Sequence, residues 1–492
     1  MEQVNTNELH PRFNLDDFHR EAERCIEKGS IKPIKHSDVL DQLLEQMEPI
    51  NFREYLELPE DEDVKQKHIV VAIVKRLLEV ASTFHWNLSK VYDYTYVYNG
   101  AYWQQLDKDE IKSFLGKVAI KMGCPEYESR HFEFKEKLLK QFLTDAHLPP
   151  PPVTQGKILI NLKNGTFEFT DEGGRLREFN PADFLTYQLP FTYDENAACP
   201  IYDSYLTKVL PDKESRDVLQ EFSGYIFTGL NLEKLLLLIG SGANGKSVFF
   251  NILCALLGKE NVLNFTMNSF SHEYNRAKLT NVLLNYSSEK GTDLNYDTFK
   301  ALVTGEPLQA REPYGKSFTL YNKVKFIINA NELPKETEQT EAYFRRYLIV
   351  RFDVKIPESE RDISLADKII KNELAGVFNW LLVGLKRIIK QQKFTECEKS
   401  KIELDNFRRQ SDSVALFIDE HNYQSSTTNK IALTDLYRDY KNFCSDDGYK
   451  PVGKNKFSVR LENKGFEKTR LNGGAIGFFI EARPIPLQTP SF

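Results

Sequence analysis

The sequence has no apolar run approaching the roughly twenty residues that a helix needs to cross a bilayer. Its start, MEQVNTNELHPRF, lacks the basic-then-apolar plan of a secretory signal. These absences predict an intracellular, cytoplasmic chain with no membrane partner. Cysteine is sparse: Cys25, Cys124, Cys199, Cys254, Cys397 and Cys444 stand singly, without a CxxC pair, so neither a zinc ribbon nor a disulfide framework is suggested. They read as reduced thiols. An excess of positive charge is missing too. Against 71 Asp and Glu there are 65 Lys and Arg, a formal net charge of −6, so any nucleic-acid contact must come from a local basic patch. What is present is 492 residues, 41% hydrophobic and 28% charged. That describes a globular protein too long for one core, hence two to four domains.

The chain is organised around LLLLIGSGANGKSVFFNILCALL, Leu235 to Leu257. Five apolar residues, a glycine-rich turn and an apolar segment of helical spacing predict strand, loop and helix in that order. The loop fits the pattern glycine, four residues, glycine, lysine, serine. Lacking Cβ atoms, Gly240, Gly242 and Gly245 let the backbone curl its N–H groups toward phosphate oxygens, and the helix adds its positive end. Ser241, Ala243 and Asn244 complete the loop, and Val248 follows in the first turn of the helix. In this pattern Lys246 reaches the β- and γ-phosphates and the Ser247 hydroxyl ligates Mg²⁺. The predicted ligands are ATP and Mg²⁺.

Taken in order, residues 1–65 read as a charged, mostly helical, solvated leader with acidic stretches such as Glu57 to Asp63. Residues 66–195 read as an α+β domain. It contains a helix over 68–84 and two hairpins, turning at Asn99-Gly100 and at Asn164-Gly165. Pro149 to Pro152 form a stiff spacer between them. Tyr96, Tyr98, Tyr102 and Trp103 could stack on bases, but aromatics on strands are more often packing residues.

Residues 196–410 form the predicted ATPase domain. VLLNYSSE, Val282 to Glu289, is a strand closing on an acid, where a carboxylate on the strand neighbouring the loop strand holds Mg²⁺ and polarises water. VKFIINA, Val324 to Ala330, ends on Asn331, whose amide can orient water or sense a phosphate. Tyr343-Phe344-Arg345-Arg346 precedes a further strand, 347–352. Its distance from the loop suggests an arginine finger for a neighbouring subunit. Between VLLNYSSE and VKFIINA, Pro307 to Lys323 reads as a hairpin presenting Tyr314 and Lys316 to a nucleic-acid backbone and its bases. Residues 411–492 read as a winged helix for duplex DNA. Seven Lys or Arg against two Glu lie between 450 and 470, Lys454, Lys456 and Arg460 among them. A solvated basic face or a protein-docking module is the competing reading.

In the order GSGANGKS, VLLNYSSE, FIINANELP, AYFRRYLIVRF, the chain resembles the superfamily 3 helicase core of the phage, plasmid and poxvirus primase-helicase family. NGTFEF with FLTYQLPFTYDENAACP resembles the domain preceding the helicase in that family, and ELAGVFNWLLVGLKRI the helical segment following it. The resemblance implies an α/β P-loop core of AAA+-like type, assembled as a homo-hexamer that hydrolyses ATP between subunits and translocates on single-stranded DNA. It also implies replication of a phage, plasmid or other mobile element in a bacterial host cell, with a separate primase or other replication proteins as partners. Carried over by motif, Gly240, Gly245, Lys246 and Ser247 form the phosphate loop, Glu289 is the acid, Asn331 the sensor, Arg346 the finger with Arg345 in reserve, and Lys316 the hairpin lysine. The chain departs from a two-acid second motif at Ser288, which leaves open how Mg²⁺ and base roles divide. Residues 1–195 hold no closely spaced pair of strand acids for catalytic metals, so primer synthesis is not expected. A nucleotide-gated initiator that binds origin DNA with little unwinding is the alternative.

Overall fold

The structure, a computed structural model, describes residues 33–84, 86–91, 94–146, 157–170, 173–287, 296–313, 315, 317–334 and 340–483. It divides into two units at Leu189/Pro190, a few residues before the expected boundary at 195/196. None of the described helices is long and apolar enough to cross a membrane.

The first unit is α+β. Helices α1 (His36–Glu45), α2 (Gln66–Thr83), α3 (Lys108–Lys121) and α4 (Phe132–Asp145) share one core, in which Val39, Leu43, Ile73, Leu77, Leu115, Val118, Leu138 and Phe142 have no exposed surface. Residues 36–47 are therefore not a solvated leader. Val39, Leu40, Leu43 and Met47 recur at helical spacing and are buried, a stripe masked in the sequence by the charged residues between them. Strands β1 (Leu88–Val91), β2 (Tyr94–Tyr98) and β3 (Trp103–Leu106) form an antiparallel sheet. Tyr98 pairs with Trp103, so residues 99–102 make the turn. There the Asn99 side chain accepts from the N–H groups of Ala101 and Tyr102, both at 3.0 Å. Tyr96, Tyr98 and Trp103 are at most 4% exposed and cluster with Phe184. They are packing residues.

A second antiparallel sheet joins β4 (Ile158–Leu162), β5 (Gly165–Thr170) and β6 (Gly173–Arg177). Because Leu162 pairs with Gly165, the turn is centred on Lys163-Asn164, one residue earlier than expected. Gly165 has φ +146°, and a Cβ there would meet the Arg177 carbonyl at 2.4 Å. The proline run Pro149 to Pro152 lies outside the described residues.

The second unit opens with α5 (Pro200–Val209) and α6 (Lys213–Tyr225) and is built on a five-stranded, all-parallel sheet. Its strands are β7 (Leu235–Ile239), β8 (Val262–Leu263), β9 (Leu284–Ser287), β12 (Lys325–Ala330) and β13 (Tyr347–Arg351), in the spatial order β13-β7-β12-β9-β8. The five residues of β7 have no exposed surface, as befits a central parallel strand covered on both faces. Helix α7 (Lys246–Leu257) covers one face, where its Phe250 stacks on Tyr286 of β9 with centroids 3.8 Å apart. On the other face Leu237, Phe326, Ile328 and Ile349 pack with Phe407. The order corrects one expectation. The acid-bearing strand β9 does not neighbour β7, because β12 lies between them. Strands β10 (Leu308–Arg311) and β11 (Ser317–Leu320) form a separate antiparallel hairpin.

Helix α8 (Leu374–Gln391) lies against α6, and α9 (Glu398–Ser411) leads to the C-terminal part. That part runs α10 (Ser413–Glu420), β14 (Tyr423–Ala432), α11 (Leu433–Asp446), α12 (Lys454–Asn463), β15 (Lys468–Arg470) and β16 (Ile476–Ala482). The strands form an antiparallel sheet of order β14-β16-β15. Val414, Phe417, Leu436, Tyr440, Phe457, Leu461, Phe478 and Ile480 close its own core.

Candidate functional site

Between the last residue of β7 and the first of α7, the backbone takes the left-handed conformation three times, at Gly242 (φ +98°), Ala243 (+52°) and Gly245 (+89°). Such a run turns successive N–H groups toward one point and makes an anion-binding concavity. No side chain caps α7, so the N–H groups of its first residues lie open at the positive end of the helix. A Cβ at Gly242 would meet nothing within 4 Å, whereas one at Gly240 would lie 2.6 Å from the Phe352 carbonyl. The loop is thus tight at its root and open at its crest, a shape that suits a phosphate chain.

Four hydrogen bonds hold this loop. The Gly240 N–H donates to the Ala330 carbonyl of β12 at 3.3 Å, and the Ala243 carbonyl accepts from the Ile356 N–H at 2.9 Å. Asn244, 4% exposed, donates its amide to the Phe352 carbonyl at 3.1 Å. From α5, the Tyr205 hydroxyl donates to the Gly245 carbonyl at 2.7 Å, and burial pushes this phenol well above its ordinary range. Tyr205 was missed in the sequence, where nothing local marks a clamp forty residues before the carbonyl it holds.

Lys246 is 4% exposed and has no carboxylate partner among the described residues. Its Nζ donates to the Gly240 carbonyl and, at 3.3 Å, to Asn244 Oδ1, and burial lowers its pKa. A desolvated cation held only by neutral oxygens is placed to favour an anion brought to the loop. Ser241 and Ser247 are exposed and Val248 is half-buried. The donor set fits a nucleotide phosphate chain, with the Ser247 hydroxyl as the described candidate ligand for a hard cation such as Mg²⁺.

Asn331 is exposed and directly follows β12, whose Ala330 pairs with Ile239, so the loop and Asn331 lie at the same C-terminal end of the parallel strands. Two residues earlier, Asn329 is a second amide that the sequence reading passed over. It pairs with Leu238, and its Oδ1 is buried with no hydrogen-bond partner among the described residues. The acid of the second motif, Glu289, and its neighbour Ser288 lie outside the described residues, as do the hairpin-tip residues Tyr314 and Lys316. The described hairpin is braced by Arg276, which donates to the Gln309 carbonyl at 2.6 Å, and by the ion pair Arg311–Glu273 at 3.7 Å.

The finger assignment changes. Arg346 is 1% exposed; its guanidinium donates to the Ala342 carbonyl and lies 3.8 Å from Glu233. A side chain enclosed in its own subunit cannot reach another. The adjacent Arg345 is exposed and pairs with Glu233 at 3.0 Å, an easily exchanged contact.

In the C-terminal part, Lys456 is exposed while Lys454 and Arg460 are half-buried, all three on α12. Lys454 and Lys456 have no ion pair among the described residues. Lys464 and Lys468 are engaged by Asp412 at 2.8 Å and Glu462 at 2.9 Å, which takes these two out of the free basic patch.

Three family models match the chain in succession. Residues 74–211 match one described as D5 N terminal like, residues 238–346 a family of unknown function, DUF5906, and residues 409–479 one described as Poxvirus D5 protein-like. A putative helicase of Acanthamoeba polyphaga mimivirus, L207/L206, is 24% identical over 238 residues, covering 44% of this chain and 24% of that protein. The chain thus spans about a quarter of the length of this curated relative. Two apo structures of the NrS-1 C-terminal region (305–718) are each 14% identical with a TM-score of 0.46. One covers 82% of this chain and 98% of its own, the other 85% and 99%.

Proposed function

We propose that this chain, parts of which match the D5 N terminal like and Poxvirus D5 protein-like models, belongs with the phage- and poxvirus-type primase-helicases and is an ATP-dependent DNA helicase of superfamily 3 that works as a hexameric ring on single-stranded DNA. The observation that carries the reading is the glycine loop: three left-handed residues ahead of an uncapped helix, with the buried Lys246 beside them. The strand order around β7 supports an AAA+-like core, since it brings Asn331 next to the loop.

In this reading the loop N–H groups bind the phosphates, and Lys246 exchanges the Gly240 carbonyl for a phosphate oxygen. Ser247 would hold Mg²⁺, Glu289 would orient and polarise the attacking water, and Asn331 would report the γ-phosphate. Bound ATP with Mg²⁺ supplies the phosphoanhydride whose cleavage drives movement. Arg345 leaves Glu233 and acts on the neighbouring subunit's site, which makes hydrolysis depend on assembly. The hairpin 307–323 carries Lys316 and Tyr314 to the single strand. The C-terminal part, a helix, a strand, two helices and a two-stranded wing, is read as a winged helix that holds duplex DNA through Lys454, Lys456 and Arg460. Hydrolysis measured with and without single-stranded DNA tests the reading. Stimulated turnover in the wild type and none in Lys246→Ala is expected, and equal turnover in the two proteins overturns it.

A further inference from the structure

The outward face of α12 carries more than charge. Phe457, Ser458 and Leu461 are buried against the domain core, so at 3.6 residues per turn the opposite face is centred on Val459. Asn455 lies one turn before it and Asn463 one turn after, a line of positions i, i+4 and i+8. All three are exposed, Val459 by 54%, and neither amide has a hydrogen-bond partner among the described residues. The flanks differ in charge. On one side the Glu462 carboxylate is tied to Lys468 at 2.9 Å and to Ser458 at 3.4 Å, and on the other Lys456 stands free.

We infer that this stripe reads base edges, so that the chain prefers duplexes carrying A·T pairs at the centre of its site. The inference rests on the reading of α12 as a duplex-binding helix. Phosphate oxygens accept from Lys, Arg and hydroxyl groups and from Asn as well, but an apolar side chain offers them nothing, so Val459 at the centre of the line is what separates base reading from phosphate tracking. A single exposed valine is ordinary, but one centred between two unpartnered amides on the exposed face of a basic helix matches a base-reading pattern. A carboxamide both donates and accepts, and so matches the N6 donor and N7 acceptor of adenine in the major groove, while an apolar side chain contacts the thymine methyl. From Asn455 to Asn463 the helix rises about 12 Å, the length of roughly three to four base pairs. Asn455 and Asn463 therefore each take an adenine, and Val459 a thymine methyl between them.

The test uses the full chain and a random-sequence duplex pool, followed by binding to the enriched duplex with modified bases. The expected result is enrichment of an A·T-bearing core of three to four base pairs, preferred roughly tenfold or more over random duplex. Replacing thymine by uracil in that core removes the methyl and should weaken the wild type but not Val459→Ala. Replacing adenine by 7-deazaadenine removes N7 and should weaken the wild type but not the double variant Asn455→Ala, Asn463→Ala. Equal binding to all duplexes, or a preference that survives in the triple variant, overturns the inference and leaves duplex binding standing. Absence of any duplex binding overturns the duplex-binding reading of α12 as well.

Discussion

At the scale of single residues, the glycine loop is held in part by a side chain that lies outside it. Tyr205 fixes the Gly245 carbonyl from α5, and a hydrogen bond of this kind contributes about 1 kcal/mol. Tyr205→Phe should keep the fold and raise the KM for ATP severalfold with little change in kcat, read from steady-state kinetics. An unchanged KM would show that the loop keeps its shape without the clamp. The two arginines before β13 should separate cleanly. Arg345→Ala removes an exposed group and should lower turnover by on the order of a thousandfold, the range of arginine fingers, with the melting temperature unchanged. Arg346→Ala empties a buried position and should lower stability by about 1–3 kcal/mol, seen as a shift in thermal unfolding. If Arg346→Ala is as stable as the wild type and Arg345→Ala is fully active, the exchange of roles between the two is wrong.

At the scale of elements, α6 and α8 approach closely because glycine allows it. A Cβ at Gly384 would sit 2.3 Å from the Gln220 carbonyl, and one at Gly224 2.7 Å from the Leu385 nitrogen. Across the same seam, Arg387 and Gln391 both donate to Glu221, which has no exposed surface. Gly384→Ala should force the helices apart and destabilise the chain by about 1–3 kcal/mol, measured by urea unfolding.

Strand β12 carries a titrating group at its other end. Lys325 donates to the Leu230 carbonyl at 2.9 Å and lies 3.9 Å from the Tyr225 ring centroid, and burial lowers its pKa from 10.5 to about 7. Between those two values the unfolded chain holds a proton that the folded chain has released. Stability from this group therefore rises with pH across the window from about 7 to 10.5 and is lost as pH falls through it. Lys325→Met should flatten that slope, and equal slopes for both proteins in urea unfolding at pH 7.5 and 9.5 would contradict it. Which elements exist was legible in the sequence, because runs such as Leu235 to Ile239 and the turn residues around them are local signals. The order β13-β7-β12-β9-β8 was not, since it depends on which strand slots between two others.

For the whole molecule, the legible part was the succession of motifs and the illegible part was what they touch. The spacing of GSGANGKS, FIINANELP and AYFRRYLIVRF identified the region of the site, yet the clamp by Tyr205, the burial of Arg346 and the core made by Val39 and Leu43 come from contacts between distant segments. If the site is shared between subunits, mixing Lys246→Ala with Arg345→Ala should restore part of the lost hydrolysis at interfaces where an intact loop meets an intact finger. No recovery in demonstrated mixed assemblies would place Arg345 in its own subunit's chemistry.

The most direct measurement is strand displacement from a forked DNA duplex by the purified chain. With ATP and Mg²⁺ the wild type should release the strand, while Lys246→Ala should bind the same fork and release none. A wild type that hydrolyses ATP on the fork without separating its strands, or a Lys246→Ala chain that separates them equally fast, would contradict an ATP-driven helicase.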